Sequence, residues 1–281
     1  MIGQKKVLRY INNLIKKGFP RFTVITGTKG QGKTELAIEI SKKLKIPFCN
    51  IGTKVDDIRD MIELAYKQTE PIIYLIQDAD KMSLGAKNSL LKIIEEPPQQ
   101  AYFIMELQQI ENTLDTIKSR CQEIKLDSYD LNDIEKFIEK EKPDLDDENK
   151  KIIKCLAKNC FEVKELIKYN PTEFKNYIDK VFANIDKVQS ANSFKIADKL
   201  DLKEDGNRYN VKLFLESLAG VYLANYYIKM NEHTQEGYTI CFKYLKCIDI
   251  IYKYVGKLKV NGINVGSIVD MVILDIRKEL R

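Results

Sequence analysis

The stretch Phe22-Thr23-Val24-Ile25-Thr26-Gly27-Thr28-Lys29-Gly30-Gln31-Gly32-Lys33-Thr34 decides the fold. A brief β-branched run ends at Gly27, and Leu36, Ala37, Ile40 and Leu44 then recur on one helical face. The order is strand, glycine loop, helix. Gly27 to Thr34 satisfies G-x-x-x-x-G-K-[ST] at every fixed position, in the context that this phosphate-binding loop requires. Backbone N–H groups of Gly27, Thr28, Lys29, Gly30, Gln31 and Gly32 can converge on phosphate oxygens, and the helix N-terminus adds partial positive charge. Lys33 can reach the β- and γ-phosphates, and Thr34 can ligate Mg²⁺. The expected cofactors are ATP or ADP with Mg²⁺, bound by an α/β domain.

Working outward, Val7, Ile11, Leu14 and Ile15 predict a leading helix that Gly18 and Pro20 end. A second helix over 55–66 leads into Ile72 to Ile76, a continuous apolar run suited to a parallel strand covered on both faces. A helix over 85–96 stops at Pro97-Pro98, and further strands fall at 102–107 and 122–126. Alternating strands and helices imply right-handed crossovers and a parallel sheet with helices on both faces. Beyond Asp127 the strand signals cease. Short amphipathic helices at 131–139, 148–157 and 161–169 surround an acidic, proline-containing connector. The chain then stays helical after Pro171, with tyrosines along the apolar stripes of 214–228 and 241–258. Those tyrosines suit helix packing better than stacking on nucleic acid, because they follow the stripe. The expected division is 1–126 for the α/β domain, 127–180 for a helical lid and 181–281 for an all-α domain.

With 281 residues, 44% of them hydrophobic, the chain has material for a substantial core and excludes global disorder. A formal charge of +5 is mild; it fits a solvated surface or a basic patch. The six cysteines form no C-x-x-C pair, which argues against a zinc ribbon or redox site, and they read as reduced, mostly core thiols. The N-terminus lacks the apolar core of a signal peptide, and no run approaches the roughly 18 apolar residues of a spanning helix. A cytoplasmic protein with no membrane partner is expected.

An ATPase of this type also needs an acid at the end of a neighbouring strand to hold Mg²⁺, and usually a second to position water. Gln77-Asp78-Ala79-Asp80 follows the Ile72 to Ile76 run, so an acid is present but the expected pair is displaced.

Several blocks, in order, resemble the bacterial DNA polymerase III clamp-loader subunits of the AAA+ class, and most closely their delta-prime branch. They are Ile2-Gly3-Gln4, the glycine loop, Val55-Asp56-Asp57-Ile58-Arg59, Ala79-Asp80-Lys81-Met82, Asn88-Ser89-Leu90-Leu91-Lys92-Ile93-Ile94-Glu95-Glu96-Pro97-Pro98 and Ser119-Arg120-Cys121. A fainter likeness to the family's collar lies at Asn261-Gly262-Ile263-Asn264-Val265. The resemblance implies a P-loop AAA+ parallel-sheet domain, a small helical lid and an all-α collar. It implies a place in a five-membered ring of clamp-loader subunits that puts a sliding clamp on primer-template DNA, within a polymerase holoenzyme but without its polymerase active site. Ile2-Gly3-Gln4 would sit near the adenine. Arg120 would reach across to a neighbour's ATP, a task suited to a planar, permanently charged guanidinium.

The chain departs from the pattern where hydrolysis is set up. Gln77 falls at the Mg²⁺-binding Asp and Asp78 at the catalytic Glu, one methylene short, where a misplacement on the order of 1 Å costs about 10²-fold. Alternatively Asp78 holds Mg²⁺ and nothing orients water. Glu106-Leu107-Gln108-Gln109 occupies the place of the strand sensor, giving Gln109 a nucleotide-facing role, and Lys164 falls about where the basic sensor of the lid would stand. Only Cys49 lies where relatives insert a four-cysteine zinc module, so no zinc is expected. Weak or absent ATPase activity follows. The competing readings are a self-sufficient AAA+ ATPase acting on DNA, such as a helicase loader, and a ring subunit that binds no nucleotide.

Overall fold

The computed structural model describes residues 1–187, 208–258 and 264–281. These form two compact units, 1–145 with 157–164, and 146–156 with 165–281, so the segment 127–180 read as a lid is divided between them.

In the first unit α1 (Lys5–Lys17) precedes β1 (Phe22–Thr26), α2 (Lys33–Leu44), β2 (Phe48–Ile51), α3 (Val55–Lys67) and β3 (Ile72–Ile76). There follow α4 (Leu84–Ser89), α5 (Leu91–Glu95), β4 (Ala101–Leu107), α6 (Asp115–Lys118), β5 (Gln122–Lys125) and α7 (Leu131–Glu141). All strand pairings are parallel, in the order β2-β3-β4-β1-β5. Alternation along each strand feeds two cores. Ile25, Ile73, Leu75 and Ile104 pack with α1 and α2 through Ile11, Leu36 and Ile40. Phe22, Val24, Tyr74, Ile76, Phe103 and Met105 pack on the other face with α3 to α6, through Ile58, Met61, Leu90 and Ile117. Phe22, Phe103 and Tyr74 are cross-strand neighbours, and their rings stack at 5.8 and 5.5 Å between centroids.

Two expectations are corrected here. The helix over 85–96 is two pieces that meet at Leu90, whose N–H bonds Lys87 O, three residues back, at 3.2 Å. The Ser89 hydroxyl donates to Gly85 O at 3.0 Å, a back-bond that bends helices locally. Strand β2 was not foreseen at all. Nor are the cysteines mostly core thiols: Cys241 and Cys247 are buried, whereas Cys49 and Cys155 are exposed and Cys121 and Cys160 half-buried.

The second unit contains α8 (Asp147–Leu156), the end of α9 (Cys160–Lys168), α10 (Pro171–Asn184), α11 (Arg208–Met230), α12 (Gln235–Lys257) and α13 (Val265–Leu280). Half-buried Phe182 and Tyr244 meet buried Tyr222 and each other at 4.8 to 5.9 Å, and Tyr254 donates its hydroxyl to Asp275 at 2.7 Å. These tyrosines are packing residues, as the apolar stripe implied. Asn264 caps α13, accepting from Gly266 and Ser267 N–H at 2.9 and 3.3 Å. Asn261, Gly262 and Ile263, the rest of the collar-like turn, lie outside the described residues. Among the described residues no helix is long and apolar enough to cross a membrane.

Candidate nucleotide site

The glycine loop leaves the C-terminal end of β1, between β4 and β5, the edge where open parallel sheets bind ligands. Gly30 and Gly32 have φ of +81° and +90°, a region that side chains disfavour. At Gly30 a Cβ would also strike Asn159 and Phe161. The loop is fastened from within and from outside. Thr28 N–H and the Tyr129 hydroxyl bond Gln31, Lys29 lies 4.4 Å over the Phe161 ring, and Gln31 Nε2 reaches Asp127 O at 3.3 Å. Asn159 and Glu162 form a reciprocal cap at the start of α9: Glu162 N–H donates to Asn159 Oδ1 at 3.0 Å, and Asn159 Nδ2 to Glu162 Oε1 at 2.9 Å.

The opening box is held to the same place. Buried Gln4 exchanges two hydrogen bonds with the Asp127 backbone, at 2.7 and 2.9 Å. Gly3, at φ +75°, lies where a Cβ would meet Tyr129 and Asp133 at 2.6 and 2.7 Å.

Lys33 Nζ donates to Gly27 O at 2.7 Å and Thr28 O at 3.1 Å, across the mouth of the loop. Burial lowers its pKa, and the field of Glu106, Asp80 and Asp78 opposes that shift. Thr34 donates its hydroxyl to Glu106 Oε2 at 3.1 Å. Glu106 is 3% exposed, and its Oε1 is buried with no hydrogen-bond partner. Loss of water pushes its carboxyl up to about 7, opposed by the Thr34 hydrogen bond and Lys33 and reinforced by Asp78 and Glu35. A glycine cradle, a desolvated lysine and a hydroxyl beside an open carboxylate oxygen fit a phosphate chain with its divalent cation. Such a group would supply phosphoryl-transfer chemistry when bound, with Gly27 to Gly32 and Lys33 on the phosphates and Thr34 on the metal. Among the described residues there is no cluster of three or more His, Cys, Asp or Glu able to hold a metal alone. Mg²⁺ on a nucleotide needs none, since phosphates and waters complete its shell.

Of the other anticipated residues, Asp78 is near enough for its field to reach Lys33 and Glu106, whereas Arg120 stands apart. Asp78, at φ +49°, is exposed and gives its carboxylate to Lys81 at 2.7 Å. Asp80 ties the end of β3 to the loop after β4, accepting from Gln108 N–H at 2.9 Å and from Asn112 Nδ2. Gln109 is exposed beyond β4. Lys164 pairs with Glu141 at 3.3 Å, and the field of Glu35, in the first turn of α2, reaches it. Arg120 stands before the start of β5, bonding Thr116 O at 3.1 Å and pairing with Glu95 at 3.1 Å. That pair joins the two most distinctive sequence blocks. Sequence reasoning gave no role to Tyr129, Asn159 or Phe161, and placed Glu106 only within a sensor stretch.

A five-stranded parallel sheet in this order, with a complete glycine cradle after β1 and helices on both faces, is the P-loop fold that AAA+ proteins share. The fold is similar to a DNA polymerase III gamma subunit-related protein of Thermotoga maritima, with TM-score 0.53 and 18% identity over 98% of this chain and 99% of that one. It is also similar to the Thermotoga maritima RuvB Holliday junction branch migration motor, with TM-score 0.52 and 16% identity over 79% and 77%. A family model described as DNA polymerase III, delta subunit, matches residues 50–130. DNA polymerase III subunit gamma of Buchnera aphidicola subsp. Schizaphis graminum is 30% identical over 49% of this chain and 47% of its own length. Subunit delta' of Bacillus subtilis is 34% identical over 42% and 46%. The chain spans about half the length of these relatives. Its N-terminal part is thus similar to DNA polymerase III gamma and delta' subunits.

Proposed function

We propose that the chain is a clamp-loader subunit of the delta-prime kind in bacterial DNA replication. It holds ATP or ADP with Mg²⁺ in its own cradle, hydrolyses it slowly or not at all, and lends Arg120 to the nucleotide of a neighbouring subunit. Its partners in this reading are the other subunits of a pentameric ring, the sliding clamp and primer-template DNA reached through the assembly. Exposed Tyr238, Phe242 and Leu245 on α12 are consistent with helix packing between subunits.

The position of Arg120 carries the proposal. β1 and β5 run parallel, pairing Thr23 with Gln122 and Thr26 with Lys125, and the glycine loop begins after Thr26. Arg120 precedes Gln122, so it stands at the opposite end of the strands, roughly 15 Å away at about 3.3 Å per residue. It cannot serve its own nucleotide. Its pair with Glu95 is solvent-exposed on both sides. Such pairs contribute about 0–1 kcal/mol, so the guanidinium exchanges readily onto a partner's phosphate. The displaced acids agree: Gln77 brings no charge, and Lys81 engages Asp78.

Arg120→Ala tests this in a loader reconstituted with candidate partner subunits and clamp. The variant should fold and assemble normally while DNA-stimulated ATP hydrolysis at the neighbouring site falls on the order of 10³-fold or more, in the range of arginine-finger losses. Unchanged hydrolysis in a complex of verified composition overturns the role. Robust hydrolysis by the isolated chain on primed DNA would favour a self-sufficient ATPase.

A further inference from the structure

β4 alternates between the two cores of the sheet. Phe103, Met105 and Leu107 face α3 to α6, while Ile104 faces α1 and α2. Two residues on, Glu106 takes the next position on that second side, opposite Ile25. An acid there loses its hydration, which costs several kcal/mol unless a cation or a full set of hydrogen bonds replaces the water. Lys33 offsets this only through its charge and gives no hydrogen bond, because its ammonium bonds Gly27 O and Thr28 O. Glu106 has only the Thr34 hydroxyl, and Oε1 has no hydrogen-bond partner.

The geometry points to Glu106 as the acid of the Mg²⁺ seat, supplied from β4 in place of the neutral Gln77 at the end of β3. A hydroxyl has one proton and two lone pairs. By accepting the proton of Thr34, Glu106 turns the lone pairs of Oγ1 outward to a cation, and it adds a full negative charge beside that cation. Carboxylates behind a metal ligand commonly orient it in this way and raise its basicity. Glu106 is thus a positioning residue acting through Thr34. Asp78, occupied by Lys81 at the surface, is not needed for this. The inference rests on the nucleotide-binding reading and restores metal binding without restoring a group to orient water, so tight Mg²⁺–nucleotide and slow turnover coexist.

The test is the affinity of the full chain for a fluorescent ATP analogue, measured in excess Mg²⁺ and in EDTA. The parent should bind at least about tenfold more tightly with Mg²⁺, a difference of about 1.4 kcal/mol. Glu106→Gln should lose most of that gain while keeping its affinity in EDTA, and Glu106→Asp should recover part of it. Asp78→Asn should retain the gain. A full Mg²⁺ gain in a folded Glu106→Gln protein overturns the inference and leaves nucleotide binding standing. Should Glu106→Gln not fold, Asp78→Asn decides: loss of the gain there assigns the acid to Asp78, and retention supports Glu106. Absence of binding by the parent in both buffers overturns the nucleotide reading, and this inference with it.

Discussion

A carboxylate at the end of a strand covered on both faces loses its water, and at Glu106 that loss decides the titration. Folded, the group sits at about 7; the ordinary value is 4.5. The native state therefore holds a proton that the unfolded chain has released over that window, so stability falls as pH rises from 4.5 through 7. Glu106→Gln removes the titration and keeps the shape. Without nucleotide or metal, the variant should exceed the parent by under about 1 kcal/mol at pH 5 and by about 3 kcal/mol at pH 8. Urea unfolding at the two pH values measures it; Lys33, Asp78, Glu35 and Thr34, which face the carboxyl, remain in both proteins. An equal difference at both values would mean that burial does not raise this group. The signal for Glu106 was in the sequence, as the one acid within the apolar run Tyr102 to Leu107. Its meaning was not, because the partner that gives it a role, Thr34, lies 72 residues away.

Among the elements, those buried on two faces were legible and those at the edge were not. β3 reads as an unbroken apolar run because helices cover both its sides, and its bounds of Ile72 and Ile76 match the run. β2 is an edge strand whose residues Phe48, Cys49 and Asn50 are exposed, so no burial pattern was written into it. The break at Leu90 was hidden for another reason: the apolar spacing continues through it, and only the Ser89 back-bond marks it. The middle strands also carry a defect. The hydroxyl of Tyr74, whose ring stacks on Phe103, is buried and has no hydrogen-bond partner. Tyr74→Phe removes an unsatisfied polar atom and leaves the stack, so it should stabilise the protein by about 1 kcal/mol in urea unfolding. A loss of similar size would mean that the hydroxyl has an ordered water.

For the whole chain, the proposed role has the parallel sheet separate two tasks by direction. The cradle proposed to hold phosphate emerges at the C-terminal ends of the strands, and Arg120 emerges at the other end. The sequence displayed both motifs, but the distance between them depends on strand register, which pattern alone does not give. Sites this far apart without shared partners act additively, so the two functions should be separable by mutation. In the assembled complex Lys33→Ala should weaken analogue binding to this subunit by at least about tenfold, the loss of one charge-assisted contact. ATP hydrolysis by the complex should stay near the parent's. Arg120→Ala should do the reverse, and the double variant should show the product of the two effects in each assay. A hydrolysis defect in Lys33→Ala as severe as that of Arg120→Ala would show that the local cradle turns over its own nucleotide, and the stationary role would fall.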